Sequence, residues 1–206
     1  MGGMMNTRLT MAVAAAALLL PAGVQAEQGD WLVRVRAVDI VTDSSSSPVT
    51  GVAVKDKWIP EVDISYFFTR NLAAELILTY PQKHDVTFNG APIGSVKHLP
   101  PTLTLQYHFI PDGKYRPYVG AGINLTHFSN VKLNVGGSLP LNTERYSFGA
   151  AIQGGFDVEL TKNLFLNLDV KKVWMDTDLT NASTGAFVTK LNIDPVLVGV
   201  GIGWKF

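Results

Sequence analysis

The segment WLVRVRAVDIV, residues 31–41, decides the fold, because it carries two arginines within an otherwise apolar and β-branched run. Side chains of a β-strand alternate between two faces. One face of this segment would hold Trp31, Val33, Val35 and Ala37. The opposite face would hold Arg34, Arg36, Val38 and Ile40. The chain therefore needs a sheet with one apolar face and another face that accepts guanidinium groups.

Residues 1–26 have the composition of a secretory signal peptide, which leaves residues 27–206 as the mature domain. Arg8 precedes an apolar run from Met11 to Leu20, and Val24-Gln25-Ala26 supplies the small residues of a cleavage site. The alternative is a membrane anchor, but a spanning helix needs ~20 apolar residues and this run is shorter.

Charge and cysteine content exclude several classes of function. The 206-residue chain holds 17 Lys and Arg, 17 Asp and Glu, and no cysteine. Near-neutral charge argues against a nucleic-acid partner, and a chain without cysteine has no disulfide or thiolate chemistry. His84 and His98 flank a long connector without a diagnostic metal-ligand spacing, and we interpret them as solvated loop residues. We expect no cofactor and no metal.

Alternation of apolar and polar residues recurs in eight segments, on the ~10-residue scale of a transmembrane β-strand. The predicted strands are Trp31–Val41, Trp58–Phe67, Leu72–Tyr80, Leu99–Phe109, Arg116–Phe128, Ser147–Leu160, Leu164–Met175 and Lys190–Phe206. The connectors alternate between short ones (68–71, 110–115 and 161–163) and long, largely polar ones (42–57, 81–98, 129–145 and 176–189).

Short turns at one end and long loops at the other are typical of a bacterial outer-membrane barrel. We therefore predict an all-β fold, an eight-stranded antiparallel transmembrane β-barrel with long extracellular loops and short periplasmic turns. Such a barrel would lie in the outer membrane among lipid and lipopolysaccharide. The alternative, a soluble up-and-down barrel, would have to enclose the apolar face, which is too bulky and aromatic for eight strands.

Inward-facing residues, ordered by their height in the barrel, predict a lumen with two halves. A polar plug would fill the lower half with Arg34, Arg36, Asp63, Glu75, Arg116, Asp157, Glu159, Asp169 and Lys205. The upper half would be apolar and lined by Val38, Ile40, Ile59, Ile77, Val173, Met175, Ile193 and Leu197. Opposed charges in such a plug should pair, since an unpaired buried ion costs several kcal/mol. The alternative is that the charges only stabilise the barrel.

Pro81, Pro100 and Pro101 cluster at the upper ends of the third and fourth predicted strands. Proline donates no ladder hydrogen bond and weakens strand pairing. We predict a lateral gate here, an opening in the barrel wall through which an apolar molecule would pass into the bilayer. The alternative is that these prolines only end strands beside a loop.

Two stretches carry a resemblance to a known family, HLPPTLTLQYHF at 98–109 and RPYVGAGINLTHF at 116–128. Further support comes from AAELILTYPQKHDV (73–86), WMDTD (174–178) and DPVLVGVGIGWKF (194–206). With these motifs the chain resembles the OmpW family of small outer-membrane proteins. The resemblance implies a non-enzymatic barrel with a narrow channel for passive uptake of small hydrophobic molecules. The chain departs from the family at DVKKVW (169–174), where fewer cations than Lys171 and Lys172 are expected.

The C-terminal residues Ile202, Trp204 and Phe206 resemble the signal that the barrel-assembly machinery reads. They also fit ordinary aromatic-girdle residues, and both interpretations can hold together. Two alternatives to the channel remain open. One is a structural or host-interaction barrel whose outer loops bind partners. The other is a lipid A deacylase, because HFSN at 127–130 resembles the His-x-Ser-Asn element of the PagL type, with His127, Ser129 and an orienting Glu144.

Overall fold

The computed structural model describes residues 29–206, which form fifteen antiparallel strands in one sheet. In chain order they are β1 (Trp31–Val41), β2 (Ser45–Ser47), β3 (Val52–Val54), β4 (Lys57–Phe67), β5 (Leu72–Leu78), β6 (Gln82–Phe88), β7 (Ala91–Leu99), β8 (Thr102–His108), β9 (Tyr115–Val135), β10 (Leu139–Thr143), β11 (Tyr146–Thr161), β12 (Leu164–Val173), β13 (Asp176–Asn181), β14 (Phe187–Asn192) and β15 (Val196–Lys205). The predicted signal peptide lies outside the described residues. Within 29–206, no helix is long and apolar enough to span a membrane.

Eight of these strands close into a barrel in the order β1, β4, β5, β8, β9, β11, β12 and β15. The circle closes because β1 pairs with β4 on one side and with β15 on the other. The predicted eight-stranded antiparallel barrel is therefore confirmed. Some boundaries differ, and the largest difference is at the end of the chain. The last predicted strand is two strands, β14 and β15, because Asp194 has a left-handed backbone (φ 36°) and Pro195 follows it.

The outer wall of the barrel is apolar, as the alternation predicts. Val35, Leu105 and Ile123 are each about half exposed. Trp31 and Tyr66 add an aromatic contact near the periplasmic end, with ring centroids 5.0 Å apart. An exposed apolar belt of this extent belongs in lipid rather than in water.

The four long connectors fold into ordered strands, not into polar loops. They contribute the seven strands β2, β3, β6, β7, β10, β13 and β14, and β9 continues beyond the barrel to pair with β7 and β10. Alternation within the connectors explains this, since many of their inward positions are apolar. These buried positions include Val52, Val54, Val86, Ile93, Val96, Leu133, Leu141, Leu179 and Leu191. The apolar core therefore extends above the membrane-spanning part of the barrel.

Glycines of β15 make room in the lumen for the two arginines of β1. A Cβ atom on Gly201 would lie 2.2 Å from the Val35 carbonyl oxygen and 2.8 Å from Cγ of Arg36. On Gly203 it would lie 3.1 Å from Cγ of Arg34. The small residues of one strand thus allow the large side chains of its neighbour to turn inward.

Candidate functional site

Arg34 lies at the centre of the lower lumen and is fully buried. Its Nη2 and Nε donate to the two carboxylate oxygens of Asp157 at 2.7 and 3.1 Å, which is the strong bidentate arrangement of an arginine and a carboxylate. Nη1 donates to Asp63 at 3.1 Å, and the ring of Tyr118 lies 5.2 Å from the guanidinium carbon. Arg34 therefore connects β1 with β4 and with β11 across the lumen.

Arg36 lies one layer higher and is also buried. It donates to Glu61 at 2.8 Å, to Glu75 at 3.0 Å and to Asn167 at 2.7 Å. Its Nη2 is also 3.0 Å from Oδ2 of Asp63, without hydrogen-bond geometry, so this contact is a Coulombic one. Strand alternation alone places both arginines inward, and these partners explain why the lumen accepts them.

Two charged residues of this network, Glu61 and Lys171, are not among the predicted plug residues. Nζ of Lys171 is 3.4 Å from both carboxylate oxygens of Glu61 and 3.7 Å from Asp169. The sequence held a signal for both, because each lies two positions from a predicted plug residue, Asp63 and Asp169, and so shares its face. The two lysines that depart from the family pattern point to opposite sides of the barrel wall. Lys171 is buried in the lumen, and Lys172 donates to the Asp194 carbonyl outside it.

Neutral side chains join the charges into one network. Gln153 donates to Glu75 at 2.7 Å, Tyr118 donates to Asp169 at 2.8 Å, and Asn167 donates to Asp157 at 2.8 Å. Within residues 29–206, the buried charged residues are three cations and five carboxylates: Arg34, Arg36, Lys171, Glu61, Asp63, Glu75, Asp157 and Asp169. We call these eight residues the plug. They lie in the lower lumen, above the periplasmic opening and below the apolar upper half.

The three other predicted plug residues lie below the plug, at the periplasmic opening. Arg116 pairs with Glu159, and its guanidinium carbon lies 4.5 Å from the ring centre of Phe165. Lys205 pairs with Asp30. All four charged groups are partly exposed, so they form a charged rim and not a part of the buried network.

The eight predicted residues of the upper lumen are all buried. Seven belong to the apolar core that continues into the extracellular strands. Ile77 borders a cavity directly above the plug, whose floor includes Glu61 and Lys171. The free volume of this upper cavity is about 20 Å³, which is room for one or two water molecules.

A second cavity lies at the periplasmic rim and is bordered by Asp157 and Arg116. Among the described residues, it shares no lining residue with the upper cavity. Arg34, which contacts Asp157, and Arg36, which contacts Glu61, lie between the two. The plug therefore separates the upper lumen from the periplasm.

Strand pairing in the barrel wall is interrupted where the predicted gate prolines lie, between the β5–β8 ladder and the β6–β7 ladder. Pairing of β5 with β8 reaches its upper end at Ile77 and Thr102. Beyond this point stand Thr79, Pro81, Pro100 and Pro101, and the upper cavity borders Ile77 and Thr79 on one side and Pro100 and Thr102 on the other. We call this gap in the ladder the seam.

Contacts on the two sides of the seam are unequal. On the β9 side, Asn124 donates to the carbonyls of Pro100 and Pro101 at 3.2 and 3.3 Å, so the prolines are held there. On the β4 side, pairing with β5 begins only at Val62, although β4 starts at Lys57. Thr79 donates its hydroxyl to the Pro60 carbonyl at 3.1 Å. Pro60, a further proline beside the seam, was not predicted.

The remaining predicted residues lie on the outer face. Ile202, Trp204 and Phe206 are exposed at the end of the chain. His127 packs against Tyr146, with ring centroids 5.0 Å apart and ring planes tilted by 36°. Within residues 29–206, no hydrogen bond joins His127 to Ser129 or Glu144, whose own backbone N–H donates to Thr177.

Known proteins of one family match the whole of the described chain. The family model described as the OmpW family matches residues 27–206. The chain belongs to the OmpW family. One relative, the uncharacterized outer-membrane protein y4mB of Sinorhizobium fredii, is 42% identical over 89% of this chain and 83% of its own. The outer membrane protein W of Vibrio cholerae is 33% identical over 87% of this chain and 90% of its own.

A solved structure of similar fold is the outer membrane protein OprG from Pseudomonas aeruginosa. It has a TM-score of 0.77 and 26% identity, and the match covers 87% of this chain and 96% of OprG. The predicted resemblance and the predicted outer-membrane location are confirmed by these relatives. The lumen of this OmpW-family member thus has an apolar upper half and a lower half that is filled by paired charges.

Proposed function

We propose that this OmpW-family barrel is a passive, non-enzymatic channel for small hydrophobic molecules. These molecules enter the apolar upper lumen from outside and leave sideways through the seam into the bilayer. The single observation that carries the proposal is the position of the upper cavity, which has the plug as its floor and borders both sides of the seam.

The energetics of the two halves support a lateral exit. Burial of apolar surface is worth roughly 25 cal/mol per Å², so the upper lumen favours an apolar molecule. The plug below it has fully buried ion pairs, such as Arg34 with Asp157 and with Asp63. Separating such a pair leaves an uncompensated buried charge and costs about 3–5 kcal/mol. An apolar solute recovers none of this cost, so the seam is the easier exit.

A relative's name agrees with an apolar solute. The dibenzothiophene metabolism operon protein PahQ of Pseudomonas aeruginosa is 23% identical over 88% of this chain and 90% of its own. Dibenzothiophene is a planar aromatic compound. The proposed partners of this chain are accordingly small hydrophobic solutes in the lumen, lipid and lipopolysaccharide on the outer wall, and the barrel-assembly machinery at Ile202, Trp204 and Phe206.

A structural or host-interaction barrel is the second candidate, because the free volume of the upper cavity is only about 20 Å³. A naphthalene molecule is several times larger. Transport therefore requires the extracellular strands or the seam to move apart, whereas a structural barrel would stay packed.

Uptake of naphthalene and octane by lipopolysaccharide-containing vesicles, with and without the barrel, tests the proposal. A channel accelerates uptake of both solutes in proportion to the amount of folded barrel. Equal uptake with and without the barrel would contradict the channel and favour the structural candidate.

A further inference from the structure

Three polar side chains are buried together above the seam, where the β6–β7 hairpin begins. Gln82 and His98 stand directly opposite each other in the β6–β7 ladder, and His84 is the next inward residue of β6. The rings of His84 and His98 stack with centroids 4.3 Å apart and an interplanar angle of 17°. All three residues are at most 3% exposed. We call them the polar cap.

The hydrogen-bonding capacity of the polar cap is largely unused. Among residues 29–206, the amide nitrogen and oxygen of Gln82, Nε2 of His84 and Nδ1 of His98 have no hydrogen-bond partner. The one bond made is between Nδ1 of His84 and the Lys55 carbonyl, at 3.2 Å. A buried polar atom without a partner costs about 1–3 kcal/mol, so several such atoms together indicate a partner outside the chain.

The polar cap is adjacent to the proposed solute site. Of the three cap residues, His98 borders the upper cavity, together with Ile77, Pro100 and Met175, and Gln82 lies opposite His98 in the β6–β7 ladder. The other side of His98 faces Phe128, with ring centroids 6.2 Å apart. A molecule in this cavity would thus have apolar groups along its body and His98 of the polar cap at one end.

The cap also favours an uncharged partner. Burial, with the nearby His84 and Lys57, lowers the pKa of His98 to about 3, so its ring is neutral at neutral pH. The lysine in the cavity floor, Lys171, is already paired with Glu61. A charged ligand group would therefore be buried without a free counter-charge, which is costly.

We propose that the barrel's preferred solutes are small apolar molecules that end in one neutral hydroxyl or carbonyl group, which the polar cap binds through Gln82 and His98. This inference rests on the proposed function and narrows its solute class. A site with buried hydrogen-bonding groups discriminates strongly against an analogue that lacks the matching group, because its own polar atoms then stay unpaired. Plain hydrocarbons would enter the same cavity more weakly.

Titration of the isotopically labelled barrel in lipid nanodiscs with 1-octanol and with octane tests this. Methyl signals of Ile77 and Met175 report occupancy of the cavity, and the side-chain amide signal of Gln82 reports contact with the cap. We expect 1-octanol to shift all three signals and to half-saturate at about tenfold lower concentration than octane. Octane should shift only the methyl signals.

Variants of the cap supply the controls. Gln82→Leu combined with His98→Phe should remove the tenfold preference, so that 1-octanol and octane half-saturate this variant at similar concentrations. His127→Phe changes an outward-facing histidine near the same height and should leave the preference intact. Folding of each variant is checked by its electrophoretic mobility before and after boiling, and the comparison of octanol with octane in the unaltered barrel stands without any variant.

The outcomes separate the two proposals. If neither probe shifts the methyl signals, the proposed channel function is contradicted. If both probes shift the methyl signals at equal concentrations, or if the preference survives loss of Gln82 and His98, the channel stands and the polar-cap inference is overturned.

Discussion

Arg34 and Asp157 are 123 residues apart in the chain and are joined by two hydrogen bonds of 3.1 and 2.7 Å across the closed barrel. Their strands are not neighbours, since β15 and β12 lie between β1 and β11 in one direction around the wall. The pair therefore forms only when the barrel has closed, and it fixes the lower lumen in a filled state.

Asp157→Ala should lower the free energy of unfolding by about 3–5 kcal/mol, because Arg34 would keep a buried charge without its bidentate partner. Urea titration of the refolded barrel in detergent measures this. Asp112→Ala is the matched control, since Asp112 pairs with Arg70 on the surface and both side chains are more than half exposed. Its effect should stay within about 1 kcal/mol. Equal effects of the two variants would contradict the assigned role of the plug.

Glu61 and Lys171 should be energetically coupled. Loss of Lys171 in Lys171→Met removes the cation 3.4 Å from Glu61. In a Glu61→Gln background the same change should cost less, because Lys171 then keeps only Asp169 at 3.7 Å. We expect a coupling energy of about 0.5–3 kcal/mol from the double-mutant cycle, again by urea titration.

A cycle on the exposed pair Lys190 and Asp176 serves as control and should show much weaker coupling. Additive effects of Lys171→Met and Glu61→Gln would mean that Lys171 does not belong to the plug.

Acidification should loosen the β6–β7 hairpin. Burial lowers the pKa of His84, and it lowers that of His98 to about 3, against about 6.5 in the unfolded chain. Below pH 6.5 the opened hairpin therefore binds protons that the closed hairpin does not. The stabilisation that the neutral histidines give the closed hairpin is complete above pH 6.5 and is lost as pH falls toward 3. Lys57 opposes protonation of both rings, and Asp85 favours it at His84.

Hydrogen exchange of the β6 and β7 amides at pH 7 and pH 4.5, corrected for intrinsic exchange rates, measures this loosening. The combined variant His84→Gln and His98→Gln should remove most of the difference between the two pH values. Protection that is the same at both pH values in the unaltered barrel would contradict the burial of neutral histidines.

Pro100→Val combined with Pro101→Val should slow naphthalene uptake several-fold, because two backbone N–H donors allow the β5–β8 ladder to extend across the seam. Pro140→Val is the control, since Pro140 lies in β10, away from the seam. Uptake that is unchanged in the double variant would argue against the lateral gate.

Alternation in the sequence was sufficient to predict the barrel, its eight strands and the inward position of Arg34 and Arg36. The same rule places Glu61 and Lys171 inward, although neither is among the predicted plug residues. Alternation specifies the face of a side chain and not its partner. The pairing of Arg34 with Asp157 depends on barrel closure and could not be read from local sequence.

The extracellular part was the least predictable. Its strands are short, and β3 has only three residues. The alternation of apolar and polar residues is therefore hard to detect in connectors where polar residues dominate. His84 and His98 were interpreted as solvated loop residues, which is wrong. They are buried because the β6–β7 hairpin folds over the lumen and pairs with β3 and β9, and these are long-range contacts that local composition does not encode.

The ratio of naphthalene uptake to arabinose uptake through the same barrel, in lipopolysaccharide-containing vesicles, tests the central claim most directly. A lumen that is apolar above and sealed by paired charges below predicts that the barrel accelerates naphthalene uptake and leaves arabinose at the rate of barrel-free vesicles. Acceleration of arabinose to a comparable extent would show an open aqueous path past Arg34 and Arg36 and would contradict the account.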